Sequence, residues 1–387
     1  MRMAVIGYGG RIRHVLDEIM RVDERCVIAA IADPRCEEIK AQLREQGIAT
    51  EDIAFYNTAD ELLAGGSYDG FLIGTRCDLH TELAHKIIPT GVPLFLEKPV
   101  STNMTDLVRL RDLSEKYPQA NDNVVVSFPL RMSLLVEMVK EIIDSGKIGT
   151  VEHVQAVNNV PYGGVYFQYW YRDANIHGGL FLAKTTHDFD YLNYLIGAKP
   201  VKVAAMTSKQ IFKGNKPVNL QCKNCDERDM CPESPKNLAK AGEERRGDYC
   251  VFAVDTGNED SGSARIEYET GMHVSYSQNF FARKGAAARG ARLLGYKGTV
   301  EFDWYKGEVK VYMHHSPIVE THKVDSANQV HFGGDTLLAH NFIDLMKGKG
   351  KSHSTLNDGI ESALLCLKAI ESANTNTFQS MDWPDRR

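Results

Sequence analysis

The chain has 387 residues and a formal net charge of −6, and 43% of its residues are apolar. The length is enough for two domains, and the acidic balance argues against nucleic acid or an anionic membrane as the main partner. No stretch approaches the ~18 apolar residues of a membrane-spanning helix. The sequence enters its first strand without a signal-peptide pattern, so a cytoplasmic location is expected.

The first part of the chain alternates apolar runs with amphipathic segments. Five runs are typical of strands: MAVIG, CVIAAIAD, GFLIGT, PLFLEKP and NVVVSF. Strands this uniformly apolar are usually covered by helices on both faces. We therefore predict an α/β first domain, residues 1–127, with a doubly wound parallel sheet.

The remaining residues, 128–387, are predicted to form a second, α+β domain. One helix ends at Gly146, and six later runs alternate apolar and polar residues: VEHVQAVNNV, VKVAAMTSK, SARIEYET, MHVSYSQNFF, TVEFDWY and EVKVYMHH. Such alternation predicts a sheet with one face solvated or used as an interface. Two helices follow, TLLAHNFIDLMKG and GIESALLCLKAIESA. Residues 213–247 are polar except around their cysteines, and we expect them to be disordered.

The stretch MAVIGYGGRIRHV resembles a dinucleotide-binding loop with one change. Gly7 and Gly9 lie where a strand turns into a helix, which is where a pyrophosphate approaches the backbone. Ile12 occupies the position of the third glycine. Asp33 ends the second strand and can accept hydrogen bonds from ribose hydroxyls, which favours NAD, although Arg35 leaves NADP possible. The alternative is a plain glycine turn with a solvated Asp33.

The stretch LFLEKPV ends a predicted strand in Glu97, Lys98 and Pro99. Proline restricts the residue before it to an extended backbone. Lys98 is therefore expected to project from the carboxyl end of the sheet, where ligands bind in such folds. The alternative is a surface lysine before a turn.

These motifs, together with IGTRCDLHTELA, FPLRMSLLVEMVKEIIDSGKIG and GGLFLAKTTHDFDYLNYLIG, appear in the order found in one family. The chain resembles the glucose–fructose oxidoreductase, inositol dehydrogenase and rhizopine catabolism (Gfo/Idh/MocA) family over nearly its whole length. The resemblance implies an N-terminal Rossmann domain that binds NAD or NADP. It also implies a large, mostly antiparallel open sheet that presents a small-molecule sugar, polyol or inositol. That sheet often forms the oligomer interface, so a homodimer or homotetramer is expected.

The resemblance also implies roles for individual residues. The cofactor contacts it implies are Gly7, Tyr8, Gly9, Gly10, Arg11, Ile12, Asp33, Arg35, Thr75, His80, Glu97 and Lys98. The family often has threonine, proline and asparagine where this chain has Thr75, Arg76 and Cys77, which leaves the contacts there open.

The stretch LFLAKTTHDFDYL is expected to hold the acid–base centre. Oxidation of an alcohol needs a proton acceptor, and a histidine, or a lysine whose pKa is lowered by burial, suits this role. The resemblance implies that His187 is the acid–base residue and that Asp190, one helical turn on, orients it. Lys98 and Lys184 are expected to be its electrostatic partners, and because two cations lower each other's pKa, one of them is a possible base.

Other residues are candidates for substrate contact because aromatic faces suit sugar rings and arginines suit hydroxyl or acidic groups. They are Arg131, Tyr162, Trp170, Tyr171, Arg172 and Asp188. The alternative is that the aromatic residues belong to the core or an interface. In that alternative His187 is an interior histidine and Asp188 begins a helix.

Four cysteines lie close together in CKNCDERDMC and shortly after it: Cys222, Cys225, Cys231 and Cys250. Four thiolates make a closed tetrahedral zinc site, which could supply folding energy to a polar segment at about 213–250. An iron–sulfur cluster is the second interpretation. Disulfides, or four unconnected thiols, are the third.

The sequence therefore predicts an NAD(P)-dependent oxidoreductase that acts on a secondary alcohol or ketone of a sugar, polyol or inositol. One alternative is a glycoside hydrolase that uses bound NAD transiently, since its α-proton abstraction needs an extra base. The other is a non-catalytic regulator that binds nucleotide.

Overall fold

The computed structural model describes residues 1–245, 247–324 and 330–384. The chain divides into two compact units, of which the first contains residues 1–136, 326–364 and 383–387, and the second contains residues 137–325 and 365–382. The domain limits given above, 1–127 and 128–387, stay a prediction. No helix in the described ranges is long and apolar enough to cross a membrane.

The first unit is built on a six-stranded parallel sheet. Its strands are β1 (Arg2–Ile6), β2 (Val27–Ala32), β3 (Ala54–Tyr56), β4 (Gly70–Ile73), β5 (Leu94–Leu96) and β6 (Val124–Val126). Their order is β3-β2-β1-β4-β5-β6, and every neighbouring pair is parallel. This confirms the doubly wound sheet. The sequence analysis missed β3, because a three-residue edge strand that is only partly buried has no apolar run.

Helices alternate with these strands. They are α1 (Gly10–Val22), α2 (Cys36–Glu45), α3 (Ala59–Ala64), α4 (His80–Ile87), α5 (Met104–Lys116) and α6 (Ala120–Asn123). The apolar face of α1 is buried against the sheet, as its periodicity predicts, through Ile12, Val15, Leu16 and Ile19.

The side chain of Ile12 is accommodated by a glycine, Gly74, on the opposite side of the contact between helix and sheet. A third glycine normally lets the first helix approach the sheet closely. Here the small residue is on the other side of the contact, because a Cβ on Gly74, just after β4, would lie 2.4 Å from the Ile12 Cβ. Ile12 is completely buried. The close approach of helix and sheet is therefore kept, with the glycine moved from the helix to the neighbouring strand end.

The second unit is built on a nine-stranded sheet. Its strands are β7 (Val151–Asn159), β8 (Pro200–Ser208), β9 (Ser261–Tyr268), β10 (His273–Asn279), β11 (Ala288–Gly295), β12 (Gly298–Asp303), β13 (Glu308–Met313), β14 (Val319–Lys323) and β15 (Gln379–Ser380). Their order is β14-β13-β12-β11-β7-β10-β9-β8-β15. β10 and β7 are parallel, and the other neighbouring pairs are antiparallel. The mostly antiparallel sheet is thus confirmed.

The sequence analysis missed β11, β14 and β15. β14 and β15 are short edge strands with few buried residues. β11 lies inside the sheet, but its run ARGARLLG carries two arginines and two glycines, which hide the apolar alternation. The remaining helices are α7 (Leu134–Asp144), α8 (Val165–Gln168), α9 (Ala174–His177), α10 (Leu180–Ala183), α11 (Thr185–Ile196), α12 (Pro235–Lys240), α13 (Gly334–Met346) and α14 (Leu356–Thr375).

The packing of Ile12 on Gly74 can be tested through stability. We expect Gly74→Ala to lower the free energy of unfolding in urea by about 1–3 kcal/mol, because an overpacked core must shift. Gly66→Ala is the control, since a Cβ there meets its nearest neighbour, the Tyr68 side chain, at 3.5 Å. In an Ile12→Gly background the cost of Gly74→Ala should be much smaller. An equal cost in both backgrounds would contradict this account.

Candidate functional site

The glycine turn after β1 is shaped for an anion. Gly7 has φ +82°, and a Cβ there would lie 2.6 Å from the Thr75 backbone nitrogen, so the turn accepts only glycine. Gly9 precedes α1, and no side chain among the described residues caps that helix N-terminus. Free backbone N–H groups at a helix N-terminus bind phosphate. The residues present therefore fit a dinucleotide.

Asp33 follows β2 and is buried beside this turn. Its carboxylate accepts hydrogen bonds from the Tyr8 backbone at 3.0 Å and from the Arg35 guanidinium at 3.1 Å. Burial raises the pKa of Asp33, but the hydrogen bonds from Arg35 and Tyr8 outweigh it and hold that pKa below its usual value. Asp33 is therefore an ionised acceptor, as ribose binding requires.

Arg11 connects the glycine turn to three distant parts of the first unit. It donates to Glu97 at 3.1 Å, to the Ser127 hydroxyl at 3.0 Å and to Asp335 at 2.6 Å. Asp335, in α13, also contacts His331 Nδ1 at 2.7 Å. Burial raises the pKa of Asp335, but the contacts with His331 and Arg11 outweigh it and hold that pKa below its usual range. The predicted contact between Arg11 and pyrophosphate stays a prediction.

His80 joins the loops that follow β4 and β5. Its Nδ1 lies 2.8 Å from the Pro99 carbonyl oxygen, and its Nε2 lies 3.3 Å from the Thr75 carbonyl oxygen. Burial lowers the pKa of His80, so the ring is neutral at about pH 7. The two contacts of this ring fix the Thr75 backbone relative to the segment that follows Lys98.

Lys98 lies near the buried thiol of Cys77. Burial raises the pKa of Cys77 to about 11, and the positive charge of Lys98 acts in the opposite direction. Lys98 itself is partly exposed. The cation predicted at the end of β5 is thus next to the loop that follows β4.

In the second unit, α11 begins with the acid–base segment. Asp188 in its first turn is fully buried and accepts from Asn158 Nδ2 at 2.7 Å, from the Tyr276 hydroxyl at 2.9 Å and from Arg289 Nε at 2.8 Å. These donors come from β7, β10 and β11. The substrate contact predicted for Asp188 stays a prediction, since the partners recorded here are groups of the chain itself.

Lys184, the residue before α11, is held in the same neighbourhood. Burial and then the positive charge of Arg289 lower the pKa of Lys184 to about 8, while Asp188 acts in the opposite direction. Lys184 keeps part of its surface exposed. His187 and Asp190 are one turn apart on α11, as predicted, and Asp190 is buried.

The residues predicted to bind substrate lie in different surroundings. Arg131, in the first unit, is buried and forms an ion pair with Asp358 at 2.9 Å. In the second unit, Trp170 stacks on Tyr171 with a centroid distance of 3.8 Å. Arg172 forms an ion pair with Asp255 at 2.7 Å. Their contacts with substrate stay predictions.

Tyr162 anchors the cysteine-containing insertion. Its hydroxyl donates to Glu233 at 2.6 Å, and Arg283 donates to the same carboxylate at 2.5 Å. Arg245 donates to the Glu233 carbonyl oxygen at 2.6 Å. The insertion also contains α12 and a bridge between Gln221 and Tyr249. The expected disorder of residues 213–247 is therefore wrong for its described residues, because a buried carboxylate network gives this polar segment the contacts that its composition lacks.

The zinc site predicted in the insertion is not supported. Within the described ranges, no group of three or more His, Cys, Asp and Glu side chains is arranged to hold a metal ion. The cysteines Cys222, Cys225, Cys231 and Cys250 are free thiols. Burial raises the pKa of Cys222 and of Cys250.

Sequence reasoning missed four residues that organise these sites: Asp335, Asn158, Tyr276 and Arg289. Only Arg289 had a usable signal. It shares the inward face of β11 with Ala291 and Leu293, and an arginine on an apolar strand face must have a partner. The arginine partner of Asp335, Arg11, lies far along the chain, so no local pattern marks this ion pair.

The strand order of the first sheet and its glycine turn define a dinucleotide-binding α/β protein. A family model for an oxidoreductase family with an NAD-binding Rossmann fold matches residues 1–151, and the GFO/IDH/MocA C-terminal domain matches residues 136–301. The chain therefore belongs to the GFO/IDH/MocA oxidoreductase family. This confirms the predicted family and its class, the NAD(P)-dependent oxidoreductases.

Individual relatives agree with this assignment. YteT of Bacillus subtilis (strain 168) is 28% identical over 329 residues, which are 75% of this chain and 74% of YteT. The myo-inositol 2-dehydrogenase of Thermotoga maritima is 27% identical over 205 residues, 53% of this chain and 58% of that protein. The structure of levoglucosan dehydrogenase in complex with NADH and levoglucosan has a TM-score of 0.75 at 18% identity, covering 98% of this chain and 99% of that one. The structural likeness shows the fold alone.

The anchor formed by Glu233 can be tested by proteolysis. Glu233→Gln removes the charge that Arg283 and Tyr162 share, so the insertion should open more often and be cleaved several-fold faster. Limited trypsin digestion followed by mass spectrometry measures cleavage within residues 213–250. Asp226→Asn, an exposed change in the same segment, is the control. Equal cleavage of both variants would show that Glu233 does not hold the insertion.

Proposed function

We propose that this protein is a dehydrogenase that transfers hydride between a nicotinamide dinucleotide and a secondary alcohol or ketone of a sugar, polyol or inositol. The observation that carries the proposal is the open glycine turn joined to an ionised Asp33. It occurs in a chain whose family model is an NAD-binding oxidoreductase domain.

The cofactor is proposed to be NAD, with NADP a weaker ligand. Gly7, Gly9 and the N-terminus of α1 hold the pyrophosphate through backbone N–H groups. Asp33 accepts hydrogen bonds from the adenosine ribose and repels a 2′-phosphate. Arg35 neutralises part of this repulsion because it pairs with Asp33.

The chemistry is divided among four side chains in this proposal. His187 takes the proton of the substrate hydroxyl, and Asp190 orients its ring. Lys98 and Lys184 stabilise the negative charge that develops on the substrate oxygen. NAD, when bound, supplies the hydride acceptor.

The substrate class rests on the relatives. One of them is named as a myo-inositol 2-dehydrogenase, and a protein of the same fold is named as levoglucosan dehydrogenase. Both ligands are rings that carry secondary hydroxyl groups. The cytoplasmic location and the oligomeric state expected from the sequence stay predictions.

A redox-cycling glycoside hydrolase is the second candidate, because Lys184, with its lowered pKa, offers the additional base that such a reaction needs. The protein purified without added cofactor, then denatured, separates the candidates by mass spectrometry of the released molecules. Near-stoichiometric NAD(H) would favour the hydrolase. No nucleotide, but binding of NAD on titration, would favour the dehydrogenase. If neither NAD nor NADP binds, both enzymatic candidates are contradicted. The same result would contradict the non-catalytic regulator, because that alternative also requires nucleotide binding.

The role of Asp33 predicts a change in cofactor preference. Asp33→Asn should weaken NAD binding about tenfold to a hundredfold, since a hydrogen bond to a charged group contributes about 1.5–3 kcal/mol. NADP binding should weaken less, because the substitution also removes the repulsion between the Asp33 carboxylate and the 2′-phosphate of NADP. Titration calorimetry with both dinucleotides measures this, with the exposed Glu37→Gln as the control for lost charge. If the affinities for NAD and NADP fall by the same factor, the role of Asp33 is limited to shaping the turn.

The role of His187 predicts a loss of turnover without a loss of cofactor. His187→Gln should lower kcat by about 10²–10⁴-fold, whereas NAD affinity stays unchanged. A panel of polyols and sugars, followed by NADH formation, identifies the substrate on which this is measured. His315→Gln, an exposed histidine in the same unit, serves as the control. Unchanged kcat in His187→Gln would remove His187 from the chemistry.

A further inference from the structure

One buried carboxylate in the first unit joins the nucleotide turn to two histidines. Asp335 Oδ1 accepts a hydrogen bond from Arg11 Nη2 at 2.6 Å. Asp335 Oδ2 lies 2.7 Å from His331 Nδ1 and 3.3 Å from His14 Nε2. The histidines come from different elements, since His14 is in α1 and His331 precedes α13. Asp335 therefore shares its charge between a permanent cation and two groups that titrate.

The guanidinium of Arg11 is held at three of its N–H groups. A guanidinium has five N–H donors. Here Nε donates to Glu97, and Nη2 donates to Ser127 and to Asp335. Within the described ranges no partner is shown for Nη1, and 31% of the side chain is exposed. Because Arg11 is the second residue of α1, next to the glycine turn, this fixed group can offer two further donors to an anion there.

The charges around Arg11 do not balance when both histidines are neutral. Arg11 carries one positive charge, whereas its partners Glu97 and Asp335 are two carboxylates. The cluster then has an excess negative charge beside a turn that fits a pyrophosphate, which is itself an anion. A proton on one histidine balances the cluster, and protons on both make it a cation. Histidines gain this charge between about pH 8 and pH 5.

A second acidic side chain lies close to one of the histidines. Glu18 follows His14 by one turn on α1, and it accepts from Arg21 at 2.6 Å and from Thr336 at 2.8 Å. Burial raises the pKa of Glu18, but these hydrogen bonds and the charges of Arg21 and His14 lower it overall. Glu18 therefore stays ionised while the histidines titrate. Together with the cluster around Arg11, Glu18 and Arg21 complete the charged groups shown near the two histidines in the described residues.

We propose that Asp335 is a positioning residue for the dinucleotide, acting through Arg11, and that protonation of His14 and His331 strengthens the binding of the pyrophosphate. This rests on the proposed function, which places the dinucleotide at the glycine turn. Asp335 fixes the guanidinium, and a proton on either histidine offsets the negative charge of the cluster. Bound pyrophosphate in turn favours the protonated histidines, so binding takes up protons near pH 7.

The pH dependence of NAD affinity tests this proposal. Titration calorimetry of the natural protein at constant ionic strength covers the range from about pH 8.5 to about pH 5.5. NAD is the probe because its pyrophosphate keeps its charge over this range, whereas a phosphate monoester such as the 2′-phosphate of NADP titrates near pH 6. The Kd for NAD should be about tenfold lower at the acid end, because positive charge is added to the cluster beside the anion.

Three variants separate the charge of the histidines from their place in the fold. His14→Gln/His331→Gln should bind NAD with the weaker affinity at every pH, and these side chains are 31% and 36% exposed, so the core is kept. His340→Gln, an exposed histidine on α13, is the matched control and should keep the natural profile. Asp335→Asn should move the rise in affinity to lower pH, since the carboxylate that favours charged histidines is lost.

Proton uptake gives a readout that a purely structural role would not move. Titrations at about pH 7 in two buffers of different ionisation enthalpy should show uptake of a fraction of a proton by the natural protein and almost none by His14→Gln/His331→Gln. An affinity that does not change with pH, or a profile that the double variant keeps, would overturn this proposal and leave the proposed function standing. Absence of NAD binding at every pH would contradict the proposed function and this proposal with it.

Discussion

A carboxylate that leaves water must be met by donors, and this requirement organises both units. Asp33 and Asp335 in the first unit, and Asp188 and Glu233 in the second, are buried and each pairs with an arginine. An unpaired charge in these places would cost several kcal/mol. Each network therefore closes only when separate segments of the chain have reached their final positions.

In the first unit these buried contacts connect the nucleotide turn to the strand ends and the helix around it. Arg11 is the second residue of α1, yet its partners lie just after β5, just after β6 and in α13. His80 adds a second link between the loops after β4 and β5. A binding loop held by such contacts loses little conformational freedom when a ligand binds.

In the second unit the same constraint has two uses. Around Glu233 it fixes a polar insertion through hydrogen bonds from Tyr162 and Arg245. Around Asp188 it fixes the positions of Asn158, Tyr276 and Arg289 below the start of α11. Tyr162 and Arg172, which the sequence suggested as substrate contacts, both have acidic partners in this unit. Residue type alone does not distinguish an anchoring arginine or tyrosine from one that contacts a ligand.

The sequence by itself determined the elements whose signal is local. Buried parallel strands are continuous apolar runs, the nucleotide turn needs glycine at Gly7, and the lysine and histidine motifs keep fixed spacing, so the sheet, the turn and the family could be predicted. Only the tertiary structure decided that Gly74 makes room for Ile12 and that Arg289 pairs with Asp188. These contacts join residues far apart in the chain. Because a buried carboxylate can be satisfied by many different donors, no spacing in the sequence records which donor the fold brings to it.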